Sequence, residues 1–464
     1  MPALSRLLPA ACGMLLSVNA IADSRFPVPA DLPAQSAYPD PLTLRSGEKV
    51  TTREQWEKQR APELRALFQH YEYGNQPPAP AHVEARTDRE DRAALGGKAT
   101  LRELTLSWGM PHAQIHLLLV TPNHREGPTP VFLGLNFDGN HAVLDDPQIR
   151  LPDAATYPGK KHGPPLTQTL EQRVANLEAY LKGDPVPALN DQEAKMIEAK
   201  RATEVATWNI EQTIDRGYAF ATFFSGDVVP DDLAMATERL KEFRPADRAE
   251  TPADDDCATL AAWAWGLSRA ADYLVTDPAI DGKKIAVVGH SRNGKAAIVA
   301  GALDERFALI IPVQAGCGGT APARVAPELI QPDGKTVVET VQRINTSFPH
   351  WFCGNFKAFN EATEKLPFDH HELMALCAPR PLLVCAATED LWANPAGQFA
   401  LVRAADPVYR LIAGEGATST EMPEVGKLIP SRLSFFIRPG KHSMAKVDWD
   451  AFLDYADVWL KGKR

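Results

Sequence analysis

The chain has no tract of clustered lysine and arginine anywhere along its 464 residues. Its formal net charge is −10, whereas binding to nucleic acid phosphates requires a basic balance and clustered cations, so nucleic acid is excluded as a partner. Internal repeats, low-complexity tracts and a linker that would force two domains are also absent. A hydrophobic content of 44% and a charged content of 23% are ordinary for a globular protein and disfavour the disordered and membrane classes.

A run of about 20 apolar residues, which a membrane anchor needs, is absent as well. The first residues instead have the form of a secretory leader, with Arg6 before an apolar stretch and a small-x-small triplet at Ala20-Ile21-Ala22. We therefore predict cleavage near Ala22 and a periplasmic or secreted mature protein without a membrane anchor. The mature chain, 23–464, is predicted to be one domain.

Cysteine is scarce, and none of the six residues stands in a Cys-x-x-Cys pair, so a zinc site is disfavoured and no metal is expected. Five cysteines remain after the leader is removed, an odd number, so at least one is predicted to stay unpaired. Cys377 and Cys385 lie in apolar stretches and are predicted core residues. Cys317 and Cys353 are predicted to form a disulfide.

Six apolar runs have the length of buried β-strands, and several alternate with helical segments. The runs cover 130–136, 218–224, 285–289, 309–313, 381–387 and 433–437, and the clearest helices cover 258–275 and 294–303. A near-continuous apolar strand is typical of a sheet that is covered on both faces. The alternation therefore predicts a three-layer α/β domain with a mostly parallel sheet.

Three further segments frame this core. Residues 23–90 are rich in proline, glutamine and charge, with a helical stretch over 53–73, and are predicted to wrap around the domain. Alternating segments over 100–108 and 114–121 predict an antiparallel hairpin. Residues 139–210 interrupt the strand-helix rhythm, and we predict that they are an insertion at the carboxyl ends of the strands, where ligands bind in open α/β sheets.

Residues 284–295 read Lys-Ile-Ala-Val-Val-Gly-His-Ser-Arg-Asn-Gly-Lys, an apolar strand that enters a turn of small residues with Ser291 at its apex. This is the layout of a nucleophile elbow, which must be sharp so that the serine oxygen stands clear of the backbone, and which glycines allow to close. Gly289 and Gly294 meet this need, although the common elbow has glycine where this chain has Asn293. Ser291 is therefore a candidate nucleophile.

A serine hydroxyl needs a base to take its proton and an acid to orient that base, and after an elbow these follow in the order acid, then histidine. His442 follows the last apolar strand, where a loop would deliver the base. Asp390 and Glu389 both follow the strand over 381–387. Asp390 is our choice for the acid, and Glu389 is the alternative.

Arg292, directly after the nucleophile, has two candidate roles. Its backbone N–H stands at the usual oxyanion-hole position, and its guanidinium is a charged donor that could also reach the developing oxyanion. A salt bridge behind the elbow is the structural alternative. Lys295, one turn into the helix, is placed to bind a sugar hydroxyl or a carboxylate.

At these residues the chain resembles the glucuronoyl esterases, carbohydrate esterase family 15, and particularly their bacterial branch. The resemblance runs from about residue 136 to the C-terminus, and so many ordered matches make a specific signal. The motifs that carry it are Gly289-His290-Ser291-Arg292-Asn293-Gly294-Lys295, Gly316-Cys317-Gly318-Gly319, Phe348-Pro349-His350-Trp351-Phe352, Leu366-Pro367-Phe368-Asp369-His370-His371, Glu389-Asp390-Leu391-Trp392-Ala393-Asn394-Pro395 and Gly440-Lys441-His442.

The resemblance implies an α/β-hydrolase fold. It implies a serine esterase that cleaves the ester between 4-O-methyl-glucuronic acid of glucuronoxylan and lignin alcohols, without a metal or organic cofactor. By position, Ser291 looks like the nucleophile, His442 like the base and Arg292 like the residue that stabilises the oxyanion.

The same resemblance places Lys295, Glu339 and Trp392 against the glucuronate ring, and Glu339 aligns only if residues 326–335 are a local insertion. These residues suit a sugar acid, whereas a feruloyl pocket would favour a more aromatic and apolar lining. An acetyl or feruloyl xylan esterase is the alternative enzyme, and an inactive carbohydrate-binding protein on a hydrolase scaffold is the alternative of another class. We expect a monomer.

The chain departs from the family at two places. Many members place the triad acid after the strand that follows the elbow, where this chain has Gln314, which cannot compensate the charge of an imidazolium. Asp390, after the next strand, is therefore expected to serve. Fungal members have cysteines beside the nucleophile and beside the histidine, which form a disulfide, and here those positions are His290 and Ser443, so that bridge is absent.

Overall fold

The computed structural model describes residues 26–109, 114–157, 168–187, 190–248, 250–331 and 333–463. The predicted leader and its cleavage site near Ala22 lie outside these residues. Within the described ranges, no helix is both long and apolar enough to cross a membrane.

Nine strands form a single sheet in the part of the chain that the structure describes, in the order β1-β2-β3-β5-β4-β6-β7-β8-β9. The strands are β1 (Glu84–Ala94), β2 (Ala99–Ser107), β3 (Gln114–Pro122), β4 (Thr129–Asn136), β5 (Ala219–Phe224), β6 (Ile280–His290), β7 (Phe307–Val313), β8 (Leu382–Ala387) and β9 (Leu433–Arg438). The first three pair in antiparallel fashion, as does β3 with β5, and the remaining pairs are parallel. The predicted mostly parallel sheet is confirmed, and all six apolar runs are strands.

Helices cover the sheet and connect its strands. They are α1 (Arg53–Gln55), α2 (Ala61–Phe68), α3 (Leu170–Lys182), α4 (Asp191–Glu198), α5 (Val205–Trp208), α6 (Ile210–Asp215), α7 (Ser225–Val228), α8 (Leu233–Arg239), α9 (Thr259–Leu274), α10 (Arg292–Leu303), α11 (Val341–Ser347), α12 (His370–Ala375), α13 (Pro395–Ala413) and α14 (Lys446–Lys461). π-helical turns at Trp56–Arg60 and Gln69–Tyr73 continue α1 and α2, so the predicted helical stretch over 53–73 is confirmed.

Two apolar cores lie on the two faces of the sheet, because successive side chains of a strand point to opposite faces. In β4, Val131 and Leu133 join the core that contains α9, α10, α12 and α13. Phe132, between them, joins the other core, which contains α14 and buried residues of α5 and α6. The fold is therefore the predicted three-layer α/β architecture.

The antiparallel edge of the sheet differs from the sequence prediction by one strand. The predicted hairpin is confirmed as β2 and β3, which pair from Ala99↔Pro122 to Ser107↔Gln114. The preceding strand β1 was missed, because it begins within the segment 23–90 and its sequence is mostly charged. An edge strand that is largely exposed has no need of apolar alternation, and charged side chains there prevent pairing with another chain.

The predicted disulfide between Cys317 and Cys353 is wrong, since all five described cysteines are free and buried. The two thiols lie in different surroundings: the Sγ of Cys353 contacts the carbonyl oxygen of His70 at 3.6 Å, whereas Cys317 lies beside Lys295 and Glu339. Burial raises the pKa of the Cys353 thiol to about 12, so it stays protonated at neutral pH. Cys377 and Cys385 are core residues, as predicted.

Candidate active site

Four residues of the candidate site follow four neighbouring parallel strands at their carboxyl ends. Ser291 follows β6, Gln314 follows β7, Asp390 follows β8 and His442 follows β9. In an open α/β sheet this is the edge at which ligands bind. The segment 139–210 leaves the same edge after β4 and carries α3, α4 and α5 before the chain returns through α6 to β5. Its residues 158–167 and 188–189 lie outside the described ranges.

Ser291 stands in a strained turn between β6 and α10, as the elbow motif predicts. Its φ of 58° and ψ of −125° lie in a region that residues with side chains rarely adopt. The turn needs both glycines, because a Cβ at Gly289 would lie 2.1 Å from the carbonyl oxygen of Asn293, and one at Gly294 would lie 2.8 Å from the carbonyl oxygen of Gly289. The backbone N–H of Ser291 donates to the carbonyl oxygen of Val313 at 2.9 Å, which ties the turn to β7.

The structure brings His442 together with Asp390. Nδ1 of His442 lies 2.7 Å from Oδ2 of Asp390, and Asp390 is buried whereas 38% of the histidine side chain is exposed. A carboxylate at Nδ1 holds the proton on that nitrogen and leaves Nε2 free to take a proton from a hydroxyl. Glu389, the alternative acid, is exposed, and its backbone N–H donates to the carbonyl oxygen of Gly440 at 2.9 Å.

The ring of His442 also lies next to the elbow. Its centroid is 4.6 Å from that of His290, the residue directly before Ser291. Phe137 contacts the His290 ring edge-on, with 6.2 Å between the centroids. Burial and the neighbouring His442 lower the pKa of His290 to about 3, so His290 is neutral at neutral pH.

Arg292 forms an ion pair with Asp231, in the short segment between α7 and α8. Its guanidinium carbon lies 4.7 Å from the centroid of the Trp351 ring and 5.0 Å from that of Phe348, and these two rings are stacked on each other. This salt bridge was the structural alternative in the sequence prediction. The side chain is nevertheless 31% exposed, so the pairing does not remove it from the site.

Asp231 is a residue that the sequence did not reveal. Besides Arg292 it accepts hydrogen bonds from Nε1 of Trp351 at 2.7 Å and Nε2 of His350 at 3.0 Å. Burial alone would raise the pKa of this carboxyl, but the His350 hydrogen bond and the Arg292 charge outweigh it and hold the pKa well below its usual range. Asp231 is 60 residues from the elbow with no motif around it, and the Phe348-Pro349-His350-Trp351 segment was the only available signal for its partners.

Lys295 and Glu339 form a buried ion pair behind the elbow, with only 4% and 6% of their side chains exposed. Nζ of Lys295 lies 2.8 Å from Oε2 of Glu339 and 2.6 Å from the carbonyl oxygen of Cys317, and it also donates to the carbonyl oxygen of Ala315. An ammonium group has three N–H donors, and these three acceptors use all of them.

Trp392 is a partly exposed residue that is bonded to the buried pair through its backbone. Its carbonyl oxygen accepts a hydrogen bond of 2.9 Å from the backbone N–H of Glu339, while 43% of the residue is exposed. The guanidinium carbon of Arg343 lies 5.5 Å from the centroid of the indole ring. The structure thus brings together Lys295, Glu339 and Trp392, the three predicted sugar contacts. Among the described residues, no group of three or more His, Cys, Asp or Glu side chains is arranged to hold a metal ion.

Comparison with known proteins identifies relatives along nearly the whole chain. A family model described as glucuronyl esterase of fungi matches residues 252–413. A carbohydrate esterase of an unknown prokaryotic organism is 39% identical over 426 residues, which are 91% of this chain and 90% of that protein. A 4-O-methyl-glucuronoyl methylesterase of Wolfiporia cocos is 41% identical over 161 residues, 34% of this chain and 39% of that one. The solved structure of a glucuronoyl esterase from Solibacter usitatus is 33% identical, covers 93% of this chain and 99% of its own, and superimposes with a TM-score of 0.76.

Proposed function

The chain belongs to carbohydrate esterase family 15, the glucuronoyl esterases, and from this membership and the site geometry we propose that it is a serine esterase acting on glucuronoxylan. It hydrolyses the ester that joins 4-O-methyl-glucuronic acid of the xylan to lignin alcohols. The observation that carries the proposal is the His442–Asp390 hydrogen bond of 2.7 Å beside a strained serine elbow.

The reaction runs in two steps through an ester of Ser291. Nε2 of His442 takes the proton of the Ser291 hydroxyl as the oxygen attacks the carbonyl carbon, and His442 then returns that proton to the departing alcohol. Asp390 orients the imidazole and stabilises its positive charge. Water, activated by the same histidine, attacks the glucuronoyl-enzyme and releases glucuronic acid. The backbone N–H and guanidinium of Arg292 stabilise the oxyanion in both steps, and one such donor contributes about 2.7–4 kcal/mol.

The sugar acid lies on the side of the elbow where Lys295, Glu339 and Trp392 stand. The exposed indole of Trp392 offers a face to the apolar surface of the sugar ring, and Glu339 accepts hydrogen bonds from its hydroxyls. Lys295, whose donors all have protein acceptors, holds the Glu339 carboxylate in place and positions the 315–317 loop. We propose that its contribution to sugar binding passes through Glu339.

The test is hydrolysis of benzyl methyl-glucuronate beside an acetyl and a feruloyl ester, with the wild-type protein and its Ser291→Ala variant. We expect selective cleavage of the glucuronate ester and its loss in the variant. Preference for the acetyl or feruloyl ester would replace the substrate assignment with the alternative enzyme. Activity in Ser291→Ala would contradict the serine mechanism, and failure of an active-site phosphonate to label Ser291 would favour a binding protein.

We also propose that the mature protein acts outside the cytoplasm, in the periplasm or after secretion, and that it is a monomer. Its polysaccharide substrate is extracellular, and the leader sequence up to Ala22 provides the route. The N-terminal residue of exported protein, measured by mass spectrometry, and the molar mass in solution, measured by light scattering, test the two statements.

A further inference from the structure

Gln314 connects the two loops that carry the proposed nucleophile and the proposed base. On one side, its Oε1 lies 3.2 Å from Nε2 of His290, the residue before Ser291. On the other side, its side chain makes two hydrogen bonds with the backbone of Ser443, the residue after His442. Oε1 accepts from the Ser443 N–H at 2.9 Å, and Nε2 donates to the Ser443 carbonyl oxygen at 2.9 Å.

The backbone of Ser443 determines which way the amide of Gln314 points. The backbone N–H can only donate and the carbonyl oxygen can only accept, so the amide oxygen must face the first and the amide nitrogen the second. The oxygen is then the atom that faces His290. Because an amide oxygen only accepts hydrogen bonds, the proton of a neutral His290 must be on Nε2.

The surroundings of Gln314 fix its position, so its amide can hold both His290 and the backbone of Ser443. It is buried, with 1% of its surface exposed, and its backbone N–H donates to the carbonyl oxygen of Cys385 at 2.7 Å. Its φ of 50° lies in the left-handed region, which a residue with a side chain keeps only when its surroundings impose it. Arg438 supports the other end of the connection, since its Nη2 donates to the Ser443 carbonyl oxygen at 2.5 Å and to the Ser443 Oγ at 2.9 Å.

We propose that Gln314 is a positioning residue for the reaction: it holds the His442 loop against the elbow and keeps His290 in the Nε2–H form. The inference rests on the proposed function, because it takes His442 as the base. Asp390 orients the ring of His442, and Gln314 holds the backbone directly after it. Two separate attachments, one to the ring and one to the chain, place the imidazole over Ser291 better than either alone.

A carboxylate cannot do the work of Gln314, although it has nearly the same shape. It has no donor for the Ser443 carbonyl oxygen, so one of its oxygens would face that oxygen and repel it. Its charge would also favour a protonated His290, which would place a second cation 4.6 Å from the imidazolium that forms on His442. The site therefore needs glutamine after β7 and takes its acid from the end of β8.

Steady-state kinetics on benzyl methyl-glucuronate test the connection with Gln314→Met, which keeps the length of the side chain and removes all its hydrogen bonds. We expect kcat to fall by about tenfold or more, with KM within about twofold of the wild-type value, because the alignment of the base and not substrate binding is disturbed. Gln212→Met is the control, since Gln212 is half-buried and bonds to Asp450 of α14, away from the site. A folded Gln314→Met enzyme that loses less than about fivefold in kcat would overturn the proposal.

The variants Gln314→Glu and Asp390→Asn distinguish two roles for position 314. Its amide either connects the two loops, or the position is merely one at which a triad acid could stand. If Gln314 is the connection, Gln314→Glu lowers kcat, and the double variant Gln314→Glu/Asp390→Asn is no more active than Asp390→Asn. If position 314 is merely one at which a triad acid could stand, Gln314→Glu is fully active, and the double variant is more active than Asp390→Asn. The second pair of results would overturn the inference while leaving the serine mechanism intact.

One measurement is independent of activity, and it is made on the wild-type protein. Long-range proton–nitrogen spectra of the wild-type protein with isotope-labelled histidine report the tautomer of each ring, and His290→Asn assigns the signal. We expect His290 to be neutral with its proton on Nε2 at neutral pH. A proton on Nδ1, or a protonated ring, would refute the role of Gln314 even if the esterase activity is as proposed. Loss of the proposed function would instead appear as an active Ser291→Ala enzyme.

Discussion

The two sides of the candidate site differ in how their polar groups are held. On the elbow side, Arg292 and His442 are each fixed by a carboxylate at one end, Asp231 and Asp390, and both side chains remain about a third exposed. On the other side, Lys295 and Glu339 are almost completely buried, and every N–H of the ammonium group has an acceptor within the protein.

This difference distinguishes side chains that would take part in the reaction from side chains that maintain the shape of the site. A residue that transfers a proton or binds a developing charge needs one atom free of partners, so its carboxylate contacts a different atom of the same side chain. In the buried pair, every N–H of the Lys295 ammonium group has a protein acceptor, so the lysine has no donor left for a substrate. The pair contributes by keeping one wall of the site charged and rigid, and its removal should affect stability before it affects the chemical step.

The largest effect is expected at Asp390. In Asp390→Asn the amide can present an N–H to Nδ1 of His442 and so favour the wrong tautomer, and kcat should fall by about 10⁴-fold, as in other serine hydrolases. Glu389→Gln is the matched control, because its carboxylate is exposed, and its kcat should stay within about twofold of wild type. A larger loss in Glu389→Gln than in Asp390→Asn would reverse the acid assignment.

The next effect tests the buried pair. Lys295→Met leaves the Glu339 carboxylate buried without its cation, which should cost about 3–5 kcal/mol of the free energy of unfolding in a urea titration. The double variant Lys295→Met/Glu339→Gln should recover part of that loss, because no charge is then left unpaired. Lys58→Met, which breaks an exposed pair with Glu54, should change the free energy by about 0.5 kcal/mol or less. Equal losses of the free energy of unfolding in Lys295→Met and Lys58→Met would show that the buried pair does not stabilise this side of the site.

A smaller effect is expected at Asp231, which acts through Arg292. Asp231→Asn should lower kcat by about ten- to hundredfold, because the guanidinium keeps its charge but loses its orientation. In the Arg292→Met background the same change should have little further effect, since the group that Asp231 orients is gone. Additive losses in this double-mutant cycle on kcat would show that Asp231 acts by another path.

The smallest effect concerns acid stability, to which the buried His371 should contribute. Burial lowers the pKa of His371, on α12, to about 4. As the pH falls below about 6.5, His371 binds a proton in the unfolded chain but not in the folded protein. The free energy of unfolding therefore decreases with acidification. Between about pH 7.5 and pH 5 this residue accounts for about 2 kcal/mol, and His371→Gln should reduce the pH dependence of urea unfolding by that amount. An unchanged pH dependence would mean that His371 binds its proton equally well in the folded and the unfolded protein.

Much of this protein could be predicted from the sequence because its signals are local. Apolar runs of strand length identified all six strands from β4 to β9, since a strand covered on both faces must be apolar throughout. The elbow at Ser291 was equally readable, because the sharp turn leaves no room for a Cβ at Gly289 or Gly294. The choice of Asp390 for the acid followed from its place after β8, and the structure brings it to His442.

The two failures have different physical causes. The predicted Cys317–Cys353 disulfide is absent, since all five described cysteines are free, and sequence spacing does not give the distance between two thiols. Strand β1 was missed because its charged residues are exposed at the sheet edge.

By itself, the sequence determined the three-layer fold and the family, and it suggested the order of the proposed nucleophile, acid and base, because each depends on residues close together in the chain or on strand order. Only the tertiary structure decided which partners orient those groups. Asp231 reaches Arg292 across 61 positions, and Gln314 reaches Ser443 across 129. Such contacts depend on which strand ends meet at one edge of the sheet, and that arrangement is settled by packing of the whole chain.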